Sequence, residues 1–286
     1  MTVNEKFVKP TPTQIQNLVT IALTEDVGAG DLTASLIGAE VEAEARLICR
    51  EEAILCGVDW ANEVFRQIDK DIVVEWKAKD GDALVPDQIV FKAFGNARSI
   101  LTAERSAINL LQTLSGTASE ANRYARELNG LHTKVLDTRK TLPGLRLEQK
   151  YAAKVGGAEN HRIGLFDGVL IKENHIRSAG SITNAVKQAL ASTPDGIMVE
   201  VEVESIEGMH EAIEAGAKRI LLDNFNTEQL AEAVKQNKGQ AVLEASGNVT
   251  IATLRDIAET GVDYISVGAL TKHITAVDFS LQFKTL

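Results

Sequence analysis

Val199-Glu200-Val201-Glu202-Val203-Glu204 is the stretch of this sequence that says most about its fold. Strict alternation predicts a β-strand with the valines on one face and the glutamates on the other, because successive side chains of a strand point to opposite faces. If helices cover the valine face, the glutamates point into the interior of a barrel, where unpaired carboxylates would be costly. Basic partners are therefore expected nearby, and the candidates are Lys172, Arg139, Lys140 and Arg162. An exposed edge strand with a charged face is the alternative interpretation.

Five further apolar runs surround this strand from about residue 116 onward, at residues 133–137, 167–172, 219–223, 241–244 and 263–267. Helical patterns separate them, at residues 147–155, 182–191, 206–215, 228–236 and 251–260. Three of these helices stop at a glycine that suits a left-handed C-terminal cap: Gly156, Gly216 and Gly261. Regular alternation of strand and helix predicts parallel strands joined by helical crossovers. Six strands indicate either a barrel with fewer than the usual eight strands or an open sheet.

The chain before residue 116 mixes helices and strands in irregular order, as α+β domains do. Helical patterns cover residues 12–23 and 99–115, and strand patterns cover residues 45–49, 72–77 and 89–93. The tail at residues 276–283 alternates apolar and polar side chains. We expect this tail to return to the first domain.

Composition excludes several classes of protein. The net charge of −10 argues against general nucleic-acid binding, which requires a basic face. No apolar stretch approaches the roughly 18 residues of a membrane span, and residues 1–10 lack the pattern of a signal peptide. Cys49 and Cys56 fit no zinc pattern and are expected to be free, buried thiols. We therefore expect a cytoplasmic protein with no nucleic-acid or membrane partner.

Polar and charged residues stand at the end of every predicted parallel strand. In such folds the carboxyl ends of the strands meet at one rim, which is where active sites lie. Residues 138–177 carry eight Lys or Arg against four Asp or Glu, a net charge of +4, so this segment is a candidate anion site. Solvated helix faces would also explain the charge. The residues at the rim are Asp137-Thr138-Arg139-Lys140, Lys172, Glu200, Glu202, Glu204, Asp223-Asn224, Glu244 and Ser266.

Two glycine-containing turns after the last strands suit phosphate. Ser246-Gly247-Asn248 precedes a helix that starts near Thr250, and Gly268-Ala269 precedes a short segment at residues 270–273. Backbone N–H groups near the N-terminus of a helix bind phosphate without a charged side chain. Either turn alone is a weak signal, because loops are rich in these residues.

Many ordered motifs give the chain a specific resemblance to bacterial quinolinate phosphoribosyltransferases, also called carboxylating nicotinate-nucleotide pyrophosphorylases. The resemblance runs over nearly the whole chain. Asn248 stands where some relatives have glycine. The motifs are Glu25-Asp26-Val27-Gly28, Asp31-Leu32-Thr33, Glu104-Arg105-Ser106-Ala107-Ile108-Asn109, Asp137-Thr138-Arg139-Lys140-Thr141, Pro143-Gly144-Leu145-Arg146, Gly156-Gly157, Asn160-His161-Arg162, Lys172-Glu173-Asn174-His175, Leu222-Asp223-Asn224-Phe225, Ser246-Gly247 and Ser266-Val267-Gly268.

The resemblance implies an α/β protein with two domains: an N-terminal α/β sandwich and an incomplete, six- or seven-stranded α/β barrel. We expect the sandwich at residues 1–115, joined by residues 276–286, and the barrel at residues 116–275. The resemblance also implies a homodimer in which Arg105 of one subunit reaches the barrel of the other. The substrates it implies are quinolinate and phosphoribosyl pyrophosphate (PRPP), with Mg²⁺ as cofactor. The implied products are nicotinate mononucleotide, pyrophosphate and CO₂.

The chemistry of these substrates suggests a role for each candidate residue. Quinolinate carries two carboxylates, which suit the planar fork of arginine. Lys140 is expected at the pyrophosphate, and Glu202 and Asp223 are expected to hold Mg²⁺ through ribose hydroxyls or water and to stabilise an oxocarbenium-like centre. The expected catalytic residues are Lys140, Lys172, Glu202 and Asp223. The other expected substrate-binding residues are Arg105, Thr138, Arg139, His161, Arg162, Ser246, Gly247, Asn248, Ser266, Val267 and Gly268.

Several alternatives stay open on sequence alone. The chain could be a phosphoribosyltransferase that acts on nicotinate or another acid without decarboxylation. It could be a barrel lyase or aldolase with Lys172 as a Schiff base, although nearby acids stabilise the charged lysine and make it a poor nucleophile. It could also be a non-catalytic phosphometabolite-binding protein, since fold alone does not imply function. Arg105 alone reads equally as an exposed helix residue, and His161 as a packing residue.

Overall fold

The computed structural model describes residues 9–286 of the chain. Most of the segment 1–10, where the sequence predicts no signal peptide, lies outside the described residues. Within residues 9–286 no helix is both long enough and apolar enough to cross a membrane.

The described residues form twelve strands and ten α-helices. The strands are β1 (Glu42–Cys49), β2 (Ala53–Ile54), β3 (Val73–Trp76), β4 (Ala83–Leu84), β5 (Ile89–Asn96), β6 (Lys134–Leu136), β7 (Gly168–Ile171), β8 (Met198–Val203), β9 (Arg219–Asp223), β10 (Val242–Ser246), β11 (Tyr264–Ser266) and β12 (Phe279–Thr285). The helices are α1 (Pro12–Asp26), α2 (Val58–Ile68), α3 (Ala97–Glu127), α4 (Arg146–Val155), α5 (Glu173–Ala179), α6 (Ile182–Ser192), α7 (Ile206–Glu214), α8 (Thr227–Asn237), α9 (Ile251–Glu259) and α10 (Ala269–Lys272).

One compact unit comprises residues 9–122, 147–156 and 273–286. Its main sheet is antiparallel, with the strand order β12-β1-β5-β3. An aromatic cluster anchors the core of this unit: the Phe91 ring lies 4.9 Å from Trp76 and 5.7 Å from Phe65, in edge-to-face geometry that aromatic pairs favour. The alternating tail forms β12, which pairs with β1 from Ala43 opposite Thr285 onward.

The other unit comprises residues 123–146 and 157–272 and contains the parallel sheet. Its strand order is β6-β11-β10-β9-β8-β7, and β6 and β7 do not pair with each other. Helices α6 and α7 pack against β8, so the valine face of the strand is covered, as expected. The predicted α/β fold with an incomplete barrel is therefore confirmed, with six strands and an open seam.

Every predicted parallel strand and crossover helix is present. Three other helices, α2, α3 and α5, were predicted less well. The helix predicted at residues 99–115 is α3, which continues to Glu127. The predicted domain boundary at residues 115–116 therefore lies inside this helix, and α4 belongs to the unit of the antiparallel sheet. The short helices α2 and α5 were not predicted, although Trp60 and Val64 of α2 have the i, i+4 spacing of a buried helical face.

Candidate active site

The register of the parallel strands determines which side chains share the barrel interior. Glu202 of β8 lies beside Leu221 of β9, which lies beside Glu244 of β10. Paired residues of parallel strands point to the same face, so the glutamates share the interior with Leu221. A cavity opens there, lined by Thr138, Arg139, Lys140, His161, Arg162, Leu170, Lys172, Glu202, Leu221, Glu244, Ser246 and Ser266.

An ion pair joins the ends of β7 and β8. Lys172 Nζ lies 2.7 Å from the Glu202 carboxylate, and the side chains are 46% and 11% exposed. The pair therefore sits at the mouth of the cavity, where the lysine remains within reach of a ligand. Lys172 is also the N-cap of α5, and its backbone N–H donates to His175 Nδ1 at 3.0 Å. The expected pairing of Lys172 with Glu202 is present.

The loop after β6 presents two cations to the cavity. The Lys140 N–H donates to Thr138 Oγ1 at 3.1 Å, and Thr271 donates to the Lys140 carbonyl at 2.8 Å. A Cβ added at Gly268 would lie 3.0 Å from Lys140 Cδ, so the glycine makes room for the lysine stem. The Arg139 Nε is buried and has no hydrogen-bond partner within residues 9–286. A buried, unsatisfied guanidinium donor beside a cavity suits an anionic ligand.

A second guanidinium lies close to Arg139. Arg162 Nη1 donates to the Gly168 carbonyl at 3.0 Å, which ties the side chain to the start of β7. Burial and the charge of Arg139 lower the pKa of Arg162 below its usual value. Arginine stays charged in proteins, so the two like charges are held near each other and an anion between them would relieve the repulsion.

A buried ionic cluster forms part of the cavity wall, where His161, Glu244 and Ser266 line the cavity. Arg219 of β9 donates to Glu200 at 3.0 Å and to Glu244 at 2.5 Å. His161 Nε2 lies 2.9 Å from Glu200, and Ser266 donates to Glu244. Both glutamates are fully buried, and each buried charge has partners, as the cost of burying charge requires.

The two carboxyl groups of this cluster differ in proton affinity. Burial alone would raise the pKa of Glu200, but the hydrogen bond from His161 and the charge of Arg219 outweigh it and hold this pKa well below its usual range. Burial and the charge of Glu200 raise the pKa of Glu244. Neighbouring carboxylates commonly divide their protons in this way, because both cannot ionise easily together. Glu200 is therefore the charged partner of Arg219.

Family comparisons match this chain along nearly its whole length. The model described as "Quinolinate phosphoribosyl transferase, N-terminal domain" matches residues 31–115, and the one described as "Quinolinate phosphoribosyl transferase, C-terminal domain" matches residues 117–282. The chain belongs to the quinolinate phosphoribosyltransferase family. The predicted resemblance is thereby confirmed.

Individual members of the quinolinate phosphoribosyltransferase family support the assignment. The structure of the nicotinate-nucleotide pyrophosphorylase from Francisella tularensis shares 47% identity with this chain at a TM-score of 0.96, covering 99% of this chain and 100% of that one. The probable carboxylating nicotinate-nucleotide pyrophosphorylases of Synechocystis and Bacillus subtilis are 40% and 38% identical to it. These matches cover 91% and 94% of this chain, and 89% and 93% of the relatives.

The partners of the glutamates in this family member correct part of the sequence prediction. Only Glu202 pairs with one of the expected cations, Lys172, whereas Glu200 pairs with Arg219 and His161. Glu204 is exposed and does not point into the interior. The reason is depth: Glu200 lies two residues further from the rim than Glu202, level with the start of β9. Arg219 was missed, although its alternation with Leu221 and Asp223 was a usable signal.

Not every predicted site residue lines the cavity. The residues that do are Thr138, Arg139, Lys140, His161, Arg162, Lys172, Glu202, Ser246 and Ser266. Asp223, Gly247, Asn248, Val267 and Gly268 follow the same strand ends but are not among the lining residues. Arg105 lies in the other unit, on α3, where its exposed side chain is 3.9 Å from Glu104. Leu170 and Leu221 line the cavity without having been predicted, and Glu244, which was predicted at the rim, lines it without a predicted substrate role.

The turn after β10 is shaped by Asn224. The Asn224 N–H donates to the Ser246 carbonyl at 2.9 Å, and its side-chain amide donates to Asp223 at 2.7 Å. Gly247 has a φ of 106°, and an added Cβ would overlap Asn224 Oδ1. Only glycine fits this position, so the ends of β9 and β10 are held together by close backbone approach.

Two groups of side chains offer atoms that could hold a cation. Glu202 and Asp223 offer hard carboxylate oxygens near the rim, which suit Mg²⁺. His161, Glu200 and Glu244 offer ligand atoms within 4.8 Å of one another. Arg219 already contacts both of those glutamates, so a metal ion there would meet a positive charge. Glu202 is also paired with a cation, Lys172, but that lysine is 46% exposed and Asp223 is a second carboxylate near the rim, so the rim residues are the better candidates.

Proposed function

We propose that this chain transfers the phosphoribosyl group of PRPP to the ring nitrogen of quinolinate, with loss of CO₂, in the de novo synthesis of NAD. The products are nicotinate mononucleotide, pyrophosphate and CO₂. The observation that carries the proposal is a cavity with Arg139, Arg162 and Lys172 on its walls, in a chain about 40% identical to named members of the family over nearly its full length. The enzyme is thus a pentosyltransferase.

Recognition of quinolinate follows from the arginine pair. The unsatisfied Arg139 Nε and the neighbouring Arg162 are suited to one of the adjacent carboxylates of the substrate, and Lys172 to the other. His161 lies beside this region and belongs to the proposed binding site. Such donors are already oriented before the substrate arrives, so little reorganisation opposes binding.

Transfer requires no protein nucleophile. The quinolinate nitrogen attacks C1 of the ribose, the C1–O bond to pyrophosphate breaks, and the bonding electrons leave with the pyrophosphate. Lys140 stabilises this leaving group, and Glu202 and Asp223 stabilise the positive charge that develops at C1. The carbon–carbon bond to the 2-carboxylate then breaks with release of CO₂, and its electron pair stays on C2, stabilised by the adjacent cationic nitrogen, until C2 takes a proton.

The turns after β10 and β11 are proposed for the 5′-phosphate of PRPP. Ser246 and Ser266 line the cavity, and Thr138 lies opposite them on the loop after β6. Gly247, Asn248, Val267 and Gly268 belong to the same turns. These residues contribute backbone N–H groups, and no further cation is needed.

Mg²⁺ is proposed as the cofactor, and the donor set fits it. Bound Mg²⁺ neutralises charge on the pyrophosphate group. Glu202 and Asp223 would hold it through ribose hydroxyls or water, because Mg²⁺ keeps several waters. Glu202 is already charge-paired with Lys172 at 2.7 Å, which favours an indirect contact over a direct one.

A cytoplasmic homodimer is proposed as the active form. Arg105 is more than half exposed, so its side chain is available to a second copy. PRPP is highly charged and does not cross membranes unaided, which favours the compartment where it is made. The free thiols of Cys49 and Cys56 suit a reducing compartment.

The test is incubation of the purified chain with PRPP, Mg²⁺ and quinolinate labelled at the 2-carboxylate. We expect nicotinate mononucleotide and labelled CO₂ in equal amounts. Nicotinate replaces quinolinate in a parallel reaction, and faster product formation there would favour the alternative acid substrate. Binding without product in either reaction would favour a non-catalytic phosphometabolite-binding protein.

A further inference from the structure

Arg146, the first residue of α4, joins the two loops that carry the arginines of the cavity. Its Nε donates to Thr141 Oγ1 at 3.2 Å, and its Nη2 donates to the Arg139 carbonyl at 3.3 Å. Its Nη1 donates at 3.4 Å to the carbonyl of Ile163, the residue after Arg162. Each contact is at or beyond the long end of the usual N–H···O range, so the cross-link depends on three donors of one planar fork acting together.

The Ile163 end of this cross-link is held by further hydrogen bonds. The N–H groups of Ile163 and Gly164 both donate to the Asp167 carboxylate at 2.8 Å. The loop before β7 is thereby closed into a turn, which holds the Ile163 carbonyl in place. Through Arg146, this turn becomes an anchor for the loop after β6.

A cross-link between these loops has a force to oppose. Arg139 and Arg162 are both positively charged, and burial together with the charge of Arg139 lowers the pKa of Arg162. Before an anion binds, this repulsion pushes the two loops apart. Arg146 contacts only carbonyl and hydroxyl groups, so it resists the separation without neutralising either charge.

The position of Arg146 is unfavourable for the helix that it begins. A cation at the N-terminus of a helix meets the positive end of the helix dipole. Among residues 9–286 Arg146 has no carboxylate partner, and its three hydrogen-bond acceptors are uncharged. It is also not among the residues that line the cavity. What its guanidinium stabilises is therefore the geometry of the two loops.

We propose that Arg146 is a positioning residue of the quinolinate site, which sets the separation of Arg139 and Arg162 by cross-linking the loops that carry them. The inference rests on the proposed function, which assigns both arginines to quinolinate. The hydrogen bonds of Arg146 do not reach the turns after β10 and β11, which are proposed for the 5′-phosphate of PRPP. Arg146 should therefore affect the binding of quinolinate more than the binding of PRPP.

Arg146→Ala tests the proposal through the KM values of the two substrates. We expect the KM for quinolinate to rise about tenfold or more, because small displacements of binding groups are costly. The KM for PRPP should rise less, since Lys140 on the same loop is also held by the hydroxyl of Thr271. Loss of folded protein alone would lower kcat and leave both KM values unchanged, and that pattern would contradict the proposal.

Three further variants separate the cross-link from charge and from folding. Arg146→Lys keeps the charge but lacks the planar fork, so its KM for quinolinate should stay raised, and a wild-type value would overturn the proposal. Thr141→Val removes one acceptor and should raise this KM less, with little added effect in Arg146→Ala, because coupled residues are not additive. Arg255→Ala is the matched control: its guanidinium donates to the Glu127 carbonyl at 2.9 Å and does not line the cavity, so both KM values should be unchanged.

If Arg146→Ala does not fold, the other two variants decide. An unchanged KM for quinolinate in both Arg146→Lys and Thr141→Val would then contradict the proposal.

Hydrogen exchange of the free protein gives a measurement that does not depend on turnover. Loss of the cross-link in Arg146→Ala should speed amide exchange at residues 138–142 and 160–165, while residues 246–250 exchange as in wild type. Unchanged exchange in both loops would overturn the proposal. Failure of the wild type to form nicotinate mononucleotide would instead count against the proposed function, and the exchange result would still test the cross-link.

Discussion

At the scale of single residues, the feature that bears most on function is the closeness of two arginines, Arg139 and Arg162. Arg139 has a buried donor without a partner, and Arg162 has a pKa lowered by burial and by Arg139. Such an arrangement costs stability in the free protein and is relieved by an anion. This loss of stability indicates that the two side chains serve to bind a ligand and do not stabilise the fold.

Loss of Lys140 or Arg162 should therefore harm activity more than stability. We expect Lys140→Ala and Arg162→Ala each to cut kcat/KM at least about a hundredfold, a typical loss for a preorganised electrostatic contact. Thermal unfolding should be nearly unchanged. Lys235→Ala, which removes an exposed ion pair with Glu232 on α8, is the control and should retain activity. Near-normal turnover of the folded Lys140 or Arg162 variant would remove that residue from the site.

The sequence was informative about residues near the rim and poor about residues below it. Lys172 and Glu202 could be paired because both end predicted neighbouring strands. Alternation with Leu221 and Asp223 could have placed Arg219 on the interior face, but its position level with Glu200 is set by the stagger of the strands, which sequence does not display. For the same reason, basic residues near the rim were predicted as partners of Glu200, whereas Arg219, its actual partner, lies further from the rim.

At the scale of elements, glycine proved both a good and a misleading signal. Gly216 and Gly261 follow helices α7 and α9, as the predicted caps require. The predicted helix ended at residue 115, just before Gly116, yet Gly116 lies inside α3, which continues to Glu127. A Cβ there would collide with the Thr275 carbonyl, so this glycine serves close packing within one unit and does not end the helix. Sequence alone does not separate these two uses.

The turn after β10 gives a prediction of the same scale. Gly247→Ala places a methyl group against Asn224 at a positive φ, so the end of β10 must shift. We expect the KM for PRPP to rise about tenfold or more, because small displacements of binding groups are costly. Gly239→Ala is the control: its φ is also positive, at 72°, but nothing lies within 4 Å of the added Cβ. Both variants should lose some stability, and an unchanged KM for PRPP in Gly247→Ala would contradict the role of this turn.

At the scale of the whole molecule, the family resemblance predicted more of the fold than hydrophobic periodicity did. Periodicity alone left a barrel and an open sheet undecided, whereas the resemblance implied an incomplete barrel of six or seven strands, and the parallel sheet has six. The interleaving of the chain was harder to foresee. Helix α4 looked like a barrel crossover by its place in the order of elements, but it belongs to the unit of the antiparallel sheet. Order along the chain predicts neighbours only where connections are short.

Shared active sites give a test of the proposed dimer. Arg105→Ala and Lys172→Ala should each be inactive alone. If Arg105 serves the neighbouring barrel, a mixed dimer of the two variants has one site with all its residues intact. Random exchange of equal amounts should then restore about a quarter of wild-type activity in a two-fold symmetric dimer. Subunit exchange is verified by mixed-mass dimers in native mass spectrometry, and no recovery despite exchange would place Arg105 outside the site.

The pairing of β12 with β1 has a consequence for how this protein is made. Ala43 of β1 pairs with Thr285 of β12, so this pairing cannot form until residue 285 has been synthesised. The antiparallel sheet therefore stays incomplete on the ribosome until every strand of the parallel sheet has emerged. Throughout that interval β1 presents an edge that could join a strand of another nascent chain. The sheet that is begun first along the chain is therefore completed only when its last strand, β12, has been synthesised.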